Sequence, residues 1–218
     1  MIKKTVILFL SIFTAVSIFA QDTPSGGFLP EDVIIRLSYE NFKNLKLLSA
    51  AIMNFGGGES EFKGLVQTYA QATSLYFQKK NPEAAKEFQK NEDDIQKTGM
   101  DLAVKYNERT NEIQTEIIEY NVRTRIDAEL KGERIPAPAE KLLSQAIEAM
   151  RFANDLKDRE KPVEAIDYYR IAKKKCFEYY EVMATFDKNL KIDEIREKYE
   201  KDMKDNESQI YTSKEKKN

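Results

Sequence analysis

Apolar residues recur at three- and four-residue spacing along most of the chain, which is the period of an α-helix. One such stretch starts at Glu31 and ends at a run of three glycines, and a second covers residues 60–80. Asn81 and Pro82 then supply the residue types that begin a helix, a capping side chain followed by proline in the first turn. The pattern therefore predicts three helices in the N-terminal part of the chain.

The third predicted helix is very long, because its apolar period continues from Pro82 to Gly132. Gly99 is its weak point, since glycine costs about 1 kcal/mol relative to alanine inside a helix. The sequence leaves open whether the helix is straight, kinked or broken there. Two prolines within residues 134–138 mark the best internal boundary, because proline does not fit a helix interior.

Beyond this boundary the same period predicts three more helices, at 139–158, 162–187 and 189–206. The predicted architecture is all-α, with elongated antiparallel hairpins joined by the long helix. We divide the chain into a signal peptide, a flexible leader, an N-terminal helical unit, a C-terminal helical unit and a disordered tail, at 1–20, 21–30, 31–132, 139–206 and 207–218.

The first 20 residues have the layout of a secretory signal peptide. Lys3 and Lys4 precede an uncharged, mostly apolar run from Val6 to Ala20, which ends on a small residue before the polar Gln21. A membrane-spanning helix needs about 20 apolar residues, and this run is shorter. Cleavage and export to the periplasm are therefore favoured over a retained anchor, with secretion beyond the periplasm left open. No integral membrane segment is expected in the cleaved chain.

The composition argues against several classes of function. The chain has no His and a single Cys, so it lacks the commonest general acid/base and metal ligand and cannot close an intramolecular disulfide. A net charge of −2 gives no basic stripe for nucleic acid. We expect no catalytic residue, no metal or other cofactor and no nucleic-acid partner. An enzyme with an unrecognised Glu or Lys site remains the alternative. Cys176 either pairs between chains or is buried, and its apolar helix face favours burial.

Two stretches share a spacing of small and large apolar residues, and each residue of the first lies 81 positions before its counterpart. The members of the two sets are Ala72, Leu75, Ala84 and Phe88, and Ala153, Leu156, Ala165, Tyr169 and Ala172. Small residues let two helices approach closely near a turn, and the aromatic residue fills the space below. The sets therefore predict the packing residues of two helical hairpins.

The second set resembles the tetratricopeptide (TPR) repeat, in which small and large residues alternate in this way on a helix–turn–helix unit. The first set departs from that pattern, because Asn91 replaces its last small residue. The offset of 81 is not a multiple of the repeat length, so the resemblance does not imply a regular array. The alternative is that any tight helical hairpin requires such a pattern.

The fifth predicted helix carries more apolar surface than one hairpin partner covers. One stripe contains Tyr169 and Cys176, and a second is rotated to the side. The candidate partner-binding residues are those of the second stripe, Tyr168, Ile171, Tyr179 and Phe186. Aromatic residues of this kind are favoured anchors in interfaces. The alternative is that this stripe packs on the third or sixth helix.

These features together indicate a non-enzymatic scaffold that binds other proteins. The short Lys-rich signal ending in Phe-Ala-Gln, the charge-dense long helices and the TPR-like hairpin resemble periplasmic helical proteins of spirochaetes, and among them the flagellar coiling proteins that sheathe the periplasmic filament. This resemblance implies flagellar filament proteins as partners, a role in motility and membership of an oligomeric assembly. The alternative is a TPR-like periplasmic adaptor that binds a peptide or partner protein in transport or outer-membrane assembly.

Overall fold

The computed structural model describes residues 30–212. Within this range the chain is all-α: it contains seven helices and no strands. In chain order they are α1 (Pro30–Phe55), α2 (Gly58–Phe77), α3 (Asn81–Leu130), α4 (Ala137–Asp158), α5 (Pro162–Phe186), α6 (Ile192–Lys198) and α7 (Glu200–Asn206). Neighbouring long helices pack antiparallel, as the sequence predicts. The predicted signal peptide at 1–20 and all but the last residue of the predicted leader at 21–30 lie outside the described residues; residue 30 begins α1.

The turn of the α2–α3 hairpin has the same backbone geometry as the turn of the α4–α5 hairpin, 81 residues later. Lys79 and Glu160 hold equivalent positions, and both have a φ of 58°. The next residue in each turn donates its N–H to the carbonyl of a residue five positions back, at 3.0 Å for Lys80 and 2.9 Å for Lys161. The repeat seen in the sequence is therefore a repeat of turn structure.

The two hairpins share one buried core with α1. Their aromatic residues Phe88 and Tyr169 are both fully buried in it, and each hairpin contributes small residues on both sides of its turn. A second core lies farther along, where the C-terminal halves of α3 and α5 meet α4 and Tyr199. The predicted N-terminal and C-terminal units are thus in direct contact.

α3 passes Gly99 as an unbroken helix of 50 residues. At this point the turn of the second hairpin crosses α3 closely: a Cβ added at Gly99 would lie 3.2 Å from Pro162 Cγ and 3.7 Å from Val163 Cγ2. The glycine that appeared in the sequence as a weak point therefore makes room for a neighbouring element.

Glycine is also required between α1 and α2. A Cβ at Gly56 would lie 2.9 Å from the carbonyl oxygen of Ile52, so a side chain there would meet backbone that cannot move aside. The N–H of Gly57 donates to Glu61 Oε2 at 2.7 Å, which fixes the start of α2.

Three buried amide side chains fix how the long helices lie against one another. The side-chain amide of Asn41 on α1 donates to the carbonyl of Phe88 at 2.7 Å. From α3, Asn91 donates to the carbonyl of Leu65 at 2.9 Å, and Gln114 donates to that of Ala146 at 2.7 Å. If one helix slid along its neighbour, these amide groups would stay buried but lose their hydrogen-bond partners, which costs free energy.

The C-terminal region differs from the predicted helix at 189–206. The chain turns after Phe186, and the helix starts only at Ile192 and is interrupted at Tyr199, which gives the short helices α6 and α7. The start of the predicted disordered tail contacts the body, because Asn54 of α1 donates to the carbonyl of Gln209 and accepts from the N–H of Tyr211. Residues 213–218 lie outside the described residues.

Candidate functional site

The predicted hairpin-packing residues lie in the first core. Seven of the nine are buried, and the remaining two, Leu75 and Leu156, are partly buried and pack against it. The full set is Ala72, Leu75, Ala84, Phe88, Ala153, Leu156, Ala165, Tyr169 and Ala172. The hydroxyl of Tyr169 also donates to Asn154 at 2.6 Å, which links the two helices of the second hairpin.

The four candidate partner-binding residues lie on one side of α5, but they are buried to different degrees. Tyr168 is half-buried and Ile171 is exposed, one turn apart on α5. Tyr179 is fully buried and its hydroxyl donates to Asn121 at 3.0 Å. Phe186 is partly buried against the second core. Two of the four therefore lie at the surface; of the other two, Tyr179 contacts α3, and Phe186 packs against the second core.

Phe152, which the sequence did not single out, completes a surface patch with Tyr168 and Ile171. Its ring centroid lies 4.6 Å from that of Tyr168, in a tilted arrangement. Phe152 is 46% exposed and Ile171 is 43% exposed. We call Phe152, Tyr168 and Ile171 the aromatic patch. It presents apolar area on a rigid helical hairpin.

Cys176 is buried in the second core as a free thiol. Burial raises its pKa to about 12, so the thiolate that reacts in disulfide exchange is scarce near neutral pH. Of the two roles weighed for this residue, the structure favours the buried apolar one.

The most unusual feature is a set of charged side chains buried together. We call Arg109, Arg170, Lys173, Asp202 and Asp205 the ionic cluster. The side chains of Lys173 and Asp205 are fully buried, those of Arg170 and Asp202 are nearly so, and that of Arg109 is partly exposed at the edge of the cluster. Charged side chains are rarely buried unless they are paired, and every member of this cluster is paired.

Helix periodicity explains how the cluster forms. Residues three apart lie on one face of a helix, and each of the three helices contributes such a pair. The pairs are Tyr106 and Arg109 on α3, Arg170 and Lys173 on α5, and Asp202 and Asp205 on α7. α3 and α5 supply the cations, and α7 supplies both acids.

Asp205 is held by the largest number of partners. It accepts hydrogen bonds from Arg170 at 3.0 and 3.2 Å, from the Tyr106 hydroxyl at 2.7 Å and from Asn54 at 3.2 Å. Lys173 Nζ lies 3.4 Å from its Oδ2. Burial alone would raise the pKa of Asp205, but the hydrogen bonds and charges of Arg170 and Lys173 outweigh it and hold the pKa below its ordinary value.

Asp202 completes the arrangement on the neighbouring turn of α7. Its carboxylate accepts from Arg109 at 2.9 and 3.1 Å and from Lys173 at 3.0 Å. Lys173 therefore bridges the two acids. Its ammonium also lies 4.7 Å from the ring centroid of Tyr106 and 5.0 Å from that of Phe55.

Tyr199, at the break between α6 and α7, forms the apolar part of the same contact. Its ring is buried 5.3 Å from that of Phe177, and the guanidinium of Arg109 lies 5.3 Å from its centroid. Its hydroxyl donates to Glu116, which also binds Lys198. The ionic cluster and Tyr199 together attach the C-terminal segment to the helical body.

Sequence reasoning missed the ionic cluster, although one signal was present. Lys173 lies seven residues from both Ile166 and Tyr180, so it occupies an apolar position in the period of α5. A lysine at such a position indicates a buried partner, but its two acids lie 29 and 32 residues later on another helix.

An open pocket of about 440 Å³ lies between α3 and α4. Leu143 and Ile147 form its apolar wall, and an ion pair between Arg125 and Glu140 lies along its edge.

Among residues 30–212 there is no group of His, Cys, Asp and Glu side chains arranged to hold a metal ion. Within the same residues, no helix is long and apolar enough to span a bilayer.

No protein-family model, curated protein or solved structure matches the chain.

Proposed function

We propose that the chain is a non-enzymatic, exported helical scaffold that binds other proteins in a periplasmic assembly. The observation that carries the proposal is the aromatic patch, in which a Phe152–Tyr168 pair lies at the surface beside Ile171. Aromatic side chains bury a large area with few rotamers to order, so they are favoured anchors for a protein partner.

The helical hairpins support this proposal as a rigid base for the patch. The two turns have equivalent hydrogen bonds 81 residues apart, which supports a TPR-like relation between the hairpins. Tyr169 and Asn154 join α4 to α5 beneath the patch, so a partner would meet a surface that is already ordered. A pre-ordered surface loses little conformational entropy on binding.

The likeness to spirochaete flagellar coiling proteins makes the periplasmic filament sheath the first assembly to test. A sheath component would bind filament proteins and contribute to motility. An adaptor in transport or outer-membrane assembly would bind components of those systems instead. The identity of the bound protein separates the two.

The test is site-specific photo-crosslinking in intact cells. A photoreactive residue at position 171 should form adducts with a partner, whereas one at the exposed position 104 on α3 should not. Mass spectrometry then identifies the partner. Flagellar filament proteins would support the sheath, and transport or assembly components would support the adaptor. Equal adducts at the two positions would contradict the role of the aromatic patch.

A matched pair of substitutions provides the second readout. Ile171→Ser and Val104→Ser remove similarly exposed β-branched side chains, at 43% and 44% exposure, so neither should affect folding much. We expect Ile171→Ser alone to reduce recovery of the partner. Full recovery with Ile171→Ser would argue against the patch, provided circular dichroism shows that both variants are folded.

A further inference from the structure

The α7 helix occupies a groove formed by three other helices. Asn54 of α1, Tyr106 and Arg109 of α3, and Arg170 and Lys173 of α5 all contact its two acids. The groove thus presents three cations to a short acidic helix. Because Lys173 is fully buried and its ion pairs are with α7, the groove requires an acidic occupant.

The groove is distinct from the aromatic patch. Successive helical residues are rotated by about 100°, which places Arg170 and Lys173 on nearly the opposite side of α5 from Tyr168 and Ile171. A partner on the patch and an occupant of the groove would therefore bind without competing.

The attachment of α7 to the groove does not depend on its belonging to the same molecule. Its polar contacts there are side-chain contacts, and the following residues are bound by Asn54 through the backbone of Gln209 and Tyr211. A second copy could supply all of these groups with the same distances. The helix has only seven residues, so it relies on the groove for stability.

The connector that precedes α6 and α7 is the segment whose path an exchange between copies would change. Residues 187–191 form no helix between α5 and α6. Its contacts are local: the Tyr120 hydroxyl donates to Asp187 at 2.9 Å, the N–H groups of Asn189 and Leu190 donate to Asp187 at 2.9 and 3.2 Å, and Leu190 packs against the second core. An exchange that straightens the connector would lose these contacts and keep the ionic cluster.

We propose that residues 187–212 of one copy occupy this groove in a second copy. Exchange of an identical element between protomers is a low-cost route to assembly, because the contacts already exist within one chain. The partner copy then contributes Asp202 and Asp205 to the ionic cluster. Reciprocal exchange gives a dimer, and non-reciprocal exchange gives an open series of linked copies. The proposal holds whether or not the aromatic patch binds another protein.

The first test shortens the connector in the full chain. Deleting residues 188–190 leaves only Asp187 and Lys191 between α5 and α6, and we expect this short connection to keep α7 out of its own groove while both elements stay intact. We expect a dimer or larger species by size-exclusion chromatography with light scattering. The matched control adds Asp205→Lys to the same deletion and should stay monomeric, because a lysine cannot replace the acid among three cations. A folded deletion variant that is monomeric at all concentrations would overturn the proposal.

A peptide test keeps the proposal falsifiable if the deletion variant does not fold. A labelled peptide of residues 187–212 is titrated into the full chain and into an Asp202→Asn/Asp205→Asn variant, whose own α7 has lost its charges. We expect at least tenfold tighter binding to the variant, and at least tenfold weaker binding of a peptide carrying the same two substitutions. Equal binding of both peptides would overturn the proposal. So would equally tight binding of an unrelated helical peptide with two Asp three residues apart, because the groove would then accept acidic helices in general.

Discussion

The two hairpins have the same turn, but α7 covers only one of the two equivalent helix faces that follow the turns, the one on α5. At the positions of Arg170 and Lys173 on α5, α3 carries Gln89 and Glu92, 81 residues earlier. Gln89 is exposed and Glu92 is half-buried, whereas Arg170 and Lys173 are covered by α7. The backbone repeat thus provides two similar hairpins, and the side chains at these two positions decide which of the two equivalent helix faces receives the C-terminal segment.

The largest effect should come from breaking the ionic cluster. Lys173→Ala leaves Asp202 and Asp205 buried with fewer cations, and loss of one partner of a buried ion pair typically costs about 3–5 kcal/mol. We expect the free energy of unfolding, measured with urea, to fall by about that amount. Glu92→Ala, at the equivalent position of the first hairpin, should change it by less than about 0.5 kcal/mol. Similar losses for both would show that the hairpins do not differ in this way.

Acid should weaken the same contact in the wild-type chain. The pKa of folded Asp205 lies below its ordinary value of 3.8, so its contribution to stability is complete well above that pH. It is lost as the pH falls through the lower pKa of the folded state. Asp205→Asn should be less stable at neutral pH but depend less on pH below about 4. The free energy of unfolding of both chains is measured with urea between pH 7 and 3. If it falls in parallel for the wild-type chain and for Asp205→Asn, Asp205 is not the group responsible.

A smaller effect should follow from filling the space where the second hairpin crosses α3. Gly99→Leu places a side chain against Pro162, and such overpacking typically costs about 1–3 kcal/mol. Gly64→Ala on α2 is the control, because nothing lies within 4 Å of its Cβ position. This change should stabilise the chain by about 0.5–1 kcal/mol through helix propensity. The midpoint of thermal unfolding should fall for Gly99→Leu and rise for Gly64→Ala. Stabilisation by Gly99→Leu would refute the close crossing.

The smallest effect concerns the hydrogen bond that only the second hairpin makes. Tyr169 pairs with Asn154, whereas the equivalent residues of the first hairpin are Phe88 and Thr73. Tyr169→Phe should cost about 1 kcal/mol in unfolding free energy, the typical contribution of one hydrogen bond. Combined with Asn154→Thr, the loss should be smaller than the sum of the two single changes. Strict additivity in this double-mutant cycle would mean that the bond contributes nothing.

Apolar periodicity was sufficient to predict the five long helices, and the residues predicted to pack the hairpins lie in the first core. Small residues such as Ala84 and Ala165, repeated at helical spacing, indicate a face where two helices pack closely. The residues that they pack with lie on the preceding helix, close by in the sequence. The predicted second stripe on α5 was less reliable, because period alone cannot show which neighbour covers a face. Tyr179 has its partner, Asn121, on α3 58 residues away.

The ionic cluster and the break at Tyr199 could not be predicted for a related reason. A helix with many charges normally exposes them, so Asp202 and Asp205 look like solvated surface in the sequence. Their burial depends on where α3 and α5 place Arg109, Arg170 and Lys173, which is a tertiary property. The interruption at Tyr199 is part of the same contact, since it lets that side chain reach Glu116.

The unbroken course of α3 limits where the chain tolerates a change in length. Each residue inserted into a helix advances everything beyond it by about 1.5 Å and rotates it by about 100°. A single insertion near Gly99 would therefore point Arg109, Ile113 and Ile117 away from their present neighbours while leaving the first hairpin unchanged. An insertion between α3 and α4, at residues 131–136, would rotate neither helix. Length variation among natural variants of this chain should therefore be found at 131–136 and be absent from the middle of α3.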